Sequence, residues 1–411
     1  MSSAQAGSVA VQGRAEATKR GAAAAPGRRQ RVLRFVALAA LLLVLAALPL
    51  YVSEFWLRTG FAVFGAVVGA VGLNLLVGTT GQLSLAQAFF MAVGAITYVF
   101  AAGESGGSAT KYSGLGLPPL VAMVLAVLMA GLAGLLFSPI AARLRGIYLG
   151  VASLGLVFIG QHLLNTWSSV TGGFNGRPAA PFSLFGFSFA GNKNPYLYVL
   201  NVPFGQAERL WYLGLVLAFA ACWFAANLQH SRPGRALETL RDSEVAAAVM
   251  GVNVQGYKAR VFLVSSMYAG LSGVLYALSI GSVAPESFSL ALSIQYLAMI
   301  VLGGLGSVIG AALGAAFVSA LPLVFQEYAG SLPFIAEPGQ PGVVASQAAA
   351  FLYGAAIVLV VEFEPGGLAG LARRVRRPPR ATGRASAGPA AEPVPSARPA
   401  QADSSPGGTR S

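Results

Sequence analysis

The sequence predicts an all-α integral membrane protein with about ten spanning helices, both termini cytoplasmic, and a disordered basic C-terminal tail. Three observations predict it. The 411 residues are 55% apolar and only 10% charged, where a soluble domain carries roughly 25% charged residues. Apolar runs of the ~20 residues needed to cross a hydrocarbon core recur along the chain. The basic residues fall on alternate sides of those runs, as they do when Lys and Arg stay on the cytoplasmic side.

The runs lie at 33–53, 58–78, 82–102, 117–138, 146–166, 210–228, 260–280, 287–303, 307–325 and 345–362. With the N-terminus inside, the cytoplasmic segments hold 22 of the 27 Lys and Arg residues. Adding or removing one span breaks this agreement for half the loops. Residues 1–32 form a basic, disordered segment, and the apolar run that follows is longer than the ~7–15 residues of a cleaved leader. It reads as a retained first anchor. Residues 372–411 are rich in Arg, Pro, Ala and Ser without apolar periodicity, so they cannot bury a core. The first arginines of this tail, Arg373, Arg374, Arg376, Arg377 and Arg380, have two uses: contact with anionic lipid headgroups, or a topology signal alone.

The net charge of +13 does not indicate a nucleic-acid partner, because the charge sits at the ends and in short loops. Cys222 is the single cysteine; it reads as a small buried hydrophobe and excludes an internal disulfide. His162 and His230 show no metal-ligand spacing. There is no GxxxxGK[ST] phosphate cradle, no nucleophile–base arrangement and no implied cofactor. The chain therefore reads as a non-enzyme, and ATP, if it drives this protein, binds a partner. Acidic and basic residues are absent from the span interiors; Glu54, Glu208, Glu327 and Glu362 sit at the ends. This argues against a proton-coupled carrier, while a sodium-coupled or passive route stays open.

Two stretches interrupt the apolar pattern. Asn74 precedes Gly78-Thr79-Thr80-Gly81-Gln82-Leu83-Ser84-Leu85-Ala86-Gln87. Broken backbone at membrane depth is tolerated where it is buried or lines a cavity. Asn74, Gln82, Ser84 and Gln87 thus either line a passage or fix helix packing through interhelical hydrogen bonds. The second interruption, Gly303-Gly304-Leu305-Gly306-Ser307, is followed by Gly310 and Gly314. It resembles the first, as in a two-fold internal repeat or in two tight turns of the same kind. The helix-break glycines are then Gly78, Gly81, Gly303, Gly304 and Gly306.

Residues 229–259 form the one long polar helical stretch of the body. Pro233 and Gly234 open it, a helix is predicted over Ala236–Met250, and Gly251 is placed to stop it. Small residues Ala246, Ala247 and Ala248 suit close approach to another surface. An outer segment, 167–209, is rich in Gly, Asn, Pro and aromatics.

The stretches GLNLLVGTTGQLSLAQAFFMAVGA (72–95), RLRGIYLGVASLG (143–155), TGGFNG (171–176) and RALETLRDSEVAAAVMGVNVQGYK (235–258) resemble permeases of ABC importers of the branched-chain amino-acid class, LivM type. So do LVSSMYAGLSGVLYA (263–277), PESFSL (285–290), VLGGLGSVIGAALGA (301–315) and FEPGGLAGL (363–371). The resemblance covers roughly residues 60–371 in order. It implies a permease domain over 33–371, with 229–259 as the loop that couples it to ABC ATPase subunits. By match to that loop, Glu244, Ala247 and Gly251 fall in the ATPase-coupling segment, although Gly251 stands seven residues after Glu244 where the general importer pattern has six. The resemblance further implies a non-identical sister permease, an extracytoplasmic solute-binding protein that meets the outer segment, and a place in the bacterial cytoplasmic membrane. Branched-chain amino acids are the first expectation for the solute. Urea or short amides, a motor-independent carrier or channel, and a non-transporting scaffold are the alternatives.

Overall fold

The computed structural model describes residues 28–104, 114–144, 146–184, 187–189, 198–199, 202–203, 205–328, 344–363 and 367–370. The chain divides into two units, Met1–Leu371 and Ala372–Ser411. The second unit, the expected tail, lies outside the described residues, as does most of the 1–32 segment.

Helices occupy the predicted apolar runs: α1 (Arg28–Ala47), α2 (Glu54–Thr80), α3 (Gln87–Ala102), α4 (Pro119–Arg143), α5 (Ile147–Thr166) and α6 (Gln206–His230). The loop carries α7 (Arg232–Asp242) and α8 (Glu244–Val249). Next come α9 (Val254–Ile280), α10 (Leu290–Gly303), α11 (Val308–Glu327) and α12 (Ala345–Phe363). Among the described residues six helices are long and apolar enough to cross a membrane: α2, α4, α5, α6, α9 and α11. Shorter apolar helical stretches are Ala39–Leu50, α3, α10 and Gln347–Val360. At 1.5 Å per residue, α3 and α10 reach only about 24 and 21 Å, short of a core about 30 Å thick. Each abuts one of the glycine-rich interruptions.

Burial separates the helices into two kinds. The apolar windows of α2 and α9 are 83% and 72% buried, while those of α4, α5, α6 and α11 are 28–39% buried. A helix that is apolar all round and covered all round is a central helix; α2 and α9 are the axis of the bundle. Small residues bring them together. A Cβ on Gly69 would lie 2.6 Å from Ser272 Oγ, and one on Gly72 would collide with Tyr268 Cβ. Small residues at such crossings let helices gain dispersion contact that lipid does not otherwise supply.

The structure differs from the sequence reading at three places. The segment 82–102 opens with non-helical backbone, and α3 begins only at Gln87. The helix expected over Ala236–Met250 is broken at Ser243, whose extended backbone (φ −161°, ψ 117°) ends α7. Its hydroxyl accepts the Ala246 N–H at 3.2 Å and so starts α8, the role Ser prefers at a helix N-cap. Finally, α6 and α9 reach to His230 and from Val254, which leaves the loop between them shorter than 229–259. At the opposite end of α9, residues 177–178 of the outer segment pair antiparallel with 282–283, Arg177 opposite Val283.

Candidate functional site

A cavity of about 440 Å³ lies between α2, α9, α10 and α11, at the end of the bundle that also holds Glu54 and Arg58. Its volume is within the range of small-molecule sites. Its walls are mainly apolar: Ala62, Ala66, Leu275, Leu292, Met299 and Leu323. Polar side chains also border it: Thr59, Ser272, Tyr276, Ser279, Gln295, Tyr296 and Ser319. Arg58 stands at the rim, exposed, and paired with Glu54 one turn earlier at 2.6 Å.

The Ser272–Tyr296 pair has a fixed hydrogen-bond direction. Ser272 Oγ lies 2.7 Å from the Gly65 carbonyl, which can only accept, so the single serine proton is spent there. Tyr296 OH, 2.9 Å from Ser272 Oγ, must then donate to it. The phenolic oxygen of a cavity-lining residue is left with acceptor capacity alone.

About 20 Å farther along α2, counting 13 residues from Gly65 to Gly78 at 1.5 Å each, the helix ends in the first glycine interruption. Gly81 takes a left-handed conformation (φ 69°) that closes α2, and residues 81–86 run without helix to Gln87. The second interruption follows α10, with Gly304 and Gly306 at φ 106° and 83°. The structure brings the two together. Asn74 Oδ1 accepts the Gly306 N–H at 2.9 Å across 232 residues of sequence. A Cβ on Gly78 would lie 2.9 Å from Gly306 Cα, so only glycine permits this approach of backbone to backbone. Gly303 packs with equal closeness against Gly310 on α11.

The polar residues singled out in the sequence all lie in this closed region: Asn74, Gln82, Ser84 and Gln87 are buried. None of the four lines the cavity. Gln87 Nε2 donates to the Gly69 carbonyl at 3.2 Å, and Ser84 Oγ accepts from Ala86 N at 3.4 Å. The non-helical strand 81–86 is pinned from outside: Leu85 N donates to Ser153 Oγ of α5 at 2.8 Å. At the start of α3, Ala88 N donates to Ser293 Oγ of α10 at 3.0 Å. Both amide atoms of Gln82, and Asn74 Nδ2, are buried without a hydrogen-bond partner. Such groups cost about 1–3 kcal/mol each.

The helix pair of the loop lies over this closed region. Arg241 Nη1 on α7 donates to the Gly78 carbonyl at 2.6 Å, one of the last carbonyls of α2, where a cation is favoured by the helix dipole. Gln229 Nε2 at the end of α6 reaches the Gly306 carbonyl at 3.5 Å. On α8, Glu244 pairs with Lys258 of α9 at 2.7 Å; the Lys258 side chain is 1% exposed. Ala247 faces inward and is fully buried, while Val245, Val249 and Met250 are 69–84% exposed. Gly251 (φ 81°) stops α8: its N–H reaches Ala248 O and that of Val252 reaches Ala247 O, both at 3.0 Å. Glu244, Ala247 and Gly251 therefore build the helix, and its outward face is apolar.

Sequence reasoning missed the cavity's own polar residues. Ser272, Gln295 and Tyr296 are polar positions inside apolar runs, the same signal that marked Asn74 and Gln87, but Gln295 and Tyr296 have no glycine cluster beside them.

A family model described as "Branched-chain amino acid transport system / permease component" matches residues 61–361. The high-affinity branched-chain amino acid transport system permease protein LivM of Escherichia coli K12 is 34% identical over 279 residues, covering 66% of this chain and 63% of that protein. The chain thus spans less than two thirds of that relative's length. The ribose import permease protein RbsC of the same strain is 26% identical over 254 residues, 60% of this chain and 70% of RbsC. The autoinducer 2 import system permease protein LsrC of E. coli O9:H4 is 29% identical over 222 residues, 52% of this chain and 57% of LsrC. No solved structure matches.

Proposed function

This chain belongs to the family of branched-chain amino acid transport system permease components, and from that premise we propose that it is the membrane permease subunit of an ATP-driven importer of small apolar amino acids. The observation that carries the proposal is the arrangement along α2: a solute-sized cavity at one end, a glycine-built closure at the other, and a loop helix bonded to that closure.

The chemistry of the walls favours the solute. An aliphatic side chain meets Ala62, Ala66, Leu275 and Met299, and the acceptor-only oxygen of Tyr296 suits an α-ammonium group. The relatives named for ribose and autoinducer 2 broaden the family's range. A polyhydroxylated solute, however, would place many of its hydroxyls against walls whose surface is mainly apolar, at a desolvation cost.

In this reading the six long helices and the four shorter ones make ten crossings of the bacterial cytoplasmic membrane, both termini inside. That assignment follows the placement of Lys and Arg. The outward face of α8, with Val245, Val249 and Met250, docks on an ABC ATPase subunit; a sister permease completes the passage; a binding protein delivers solute to the outer end near 167–209. ATP binding shifts the population between outward- and inward-open forms only through contacts that differ between them.

The test is ATP hydrolysis by the chain co-purified in lipid with its neighbouring ATPase, sister permease and binding protein. Leucine, isoleucine or valine is expected to raise hydrolysis only with the binding protein present. Solute flux through proteoliposomes with no ATPase subunit associated sinks the importer reading in favour of a motor-independent carrier or channel.

A further inference from the structure

We propose that Arg241 is the positioning residue that holds the cytoplasmic end of the passage shut, as a latch between the docking helix pair and the paired glycine interruptions. The inference rests on reading the cavity as the solute passage.

Three observations lead to it. First, the closure has a built-in opposing tendency. Gln82 and the Asn74 amide nitrogen are buried in it without a protein hydrogen-bond partner, and contact with bulk water on opening favours them. An arrangement of that kind needs holding. Second, the bonds that hold it from the loop side come from two side chains. Arg241 binds the Gly78 carbonyl at 2.6 Å and Gln229 reaches the Gly306 carbonyl, so each interruption has one clamp. Gly78 and Gly306 are the residues in backbone contact. Third, Arg241 stands two residues before Ser243, the single extended residue that joins α7 to α8. Displacement of α8 therefore reaches Arg241 through two residues of backbone, while Glu244 ties α8 itself to Lys258 of α9. Release of Gly78 separates the two interruptions and hydrates Gln82 and Asn74, which converts a loop movement into an opening.

The test uses full-length chain in membrane vesicles of both orientations. Cys222→Ala removes the single cysteine, and Ser319→Cys places a thiol on the cavity wall. A membrane-impermeant maleimide is applied from either side. With Arg241 intact, labelling is expected to be fast from the outer side and slow from the cytoplasmic side. Arg241→Ala is expected to raise cytoplasmic-side labelling about tenfold, the weight of one charge-assisted hydrogen bond in the open-to-closed ratio. Arg241→Lys, which keeps a cationic donor, recovers most of the closure, and Gln229→Leu gives a smaller rise. Outer-side labelling in the same vesicles reports that each variant is folded; if Arg241→Ala does not insert, the lysine and Gln229 variants carry the test. Outer-side labelling that persists while cytoplasmic-side labelling stays unchanged overturns the latch. Absence of labelling from both sides shows that the cavity is not the passage and overturns both readings.

Discussion

Along α2, residues 55–66 border open space on one side, whereas Val67–Thr80 are all buried and border none of it. The two halves use the same small residues for opposite ends. In the outer half, Ala62 and Ala66 border the cavity, whose other walls include Leu292, Met299 and Leu323. In the inner half the space left by Gly69, Gly72 and Gly78 is taken by Ser272 with Tyr296, by Tyr268, and by the Gly306 backbone. A small residue on a membrane helix marks either a void or a close contact, and the partner helix decides which.

That contrast has measurable consequences, the largest at the inner end. Glu244→Gln leaves the Lys258 ammonium buried without its carboxylate and is expected to cost about 3 kcal/mol, the low end for a broken buried pair because Glu244 keeps some solvent contact. Thermal unfolding in lipid nanodiscs measures it, and adding Lys258→Met to the same chain is expected to recover most of the loss. Gly78→Ala forces two backbones apart and is expected to cost about 2 kcal/mol. Ala62→Leu, its counterpart in the outer half, is expected to change stability by no more than about 0.5 kcal/mol, since it grows into the cavity. Equal losses for these two variants would erase the distinction between the halves. Tyr296→Phe removes the donor to Ser272 and is expected to cost about 1 kcal/mol, together with a rise in the KM for leucine uptake. Smallest in stability is Val249→Ser on the exposed face of α8, within about 0.5 kcal/mol; its expected effect is lost ATPase stimulation at unchanged thermal stability.

Much of this was legible in the sequence. Apolar run length placed the helices, and glycine clusters placed both interruptions. Their mutual contact was not legible, because Asn74 and Gly306 are 232 residues apart and periodicity carries no information at that range. The cavity was hidden for the same reason: its walls come from four helices, and its polar residues are scattered singly among them. The split at Ser243 had a local signal. Ser243 followed by Glu244 is a helix start, which the reading of 236–250 as one continuous helix passed over. The buried position of Ala247 follows from that split, since the restart at Ser243 sets which side of α8 faces the protein.

The most direct measurement is leucine uptake by a complex carrying Ala62→Trp, whose indole fills the cavity while leaving the inner closure and α8 untouched. The account predicts that uptake is abolished while the complex assembles and retains basal ATP hydrolysis. Uptake at the unmodified rate would contradict it, and would place the solute's route elsewhere in the assembly.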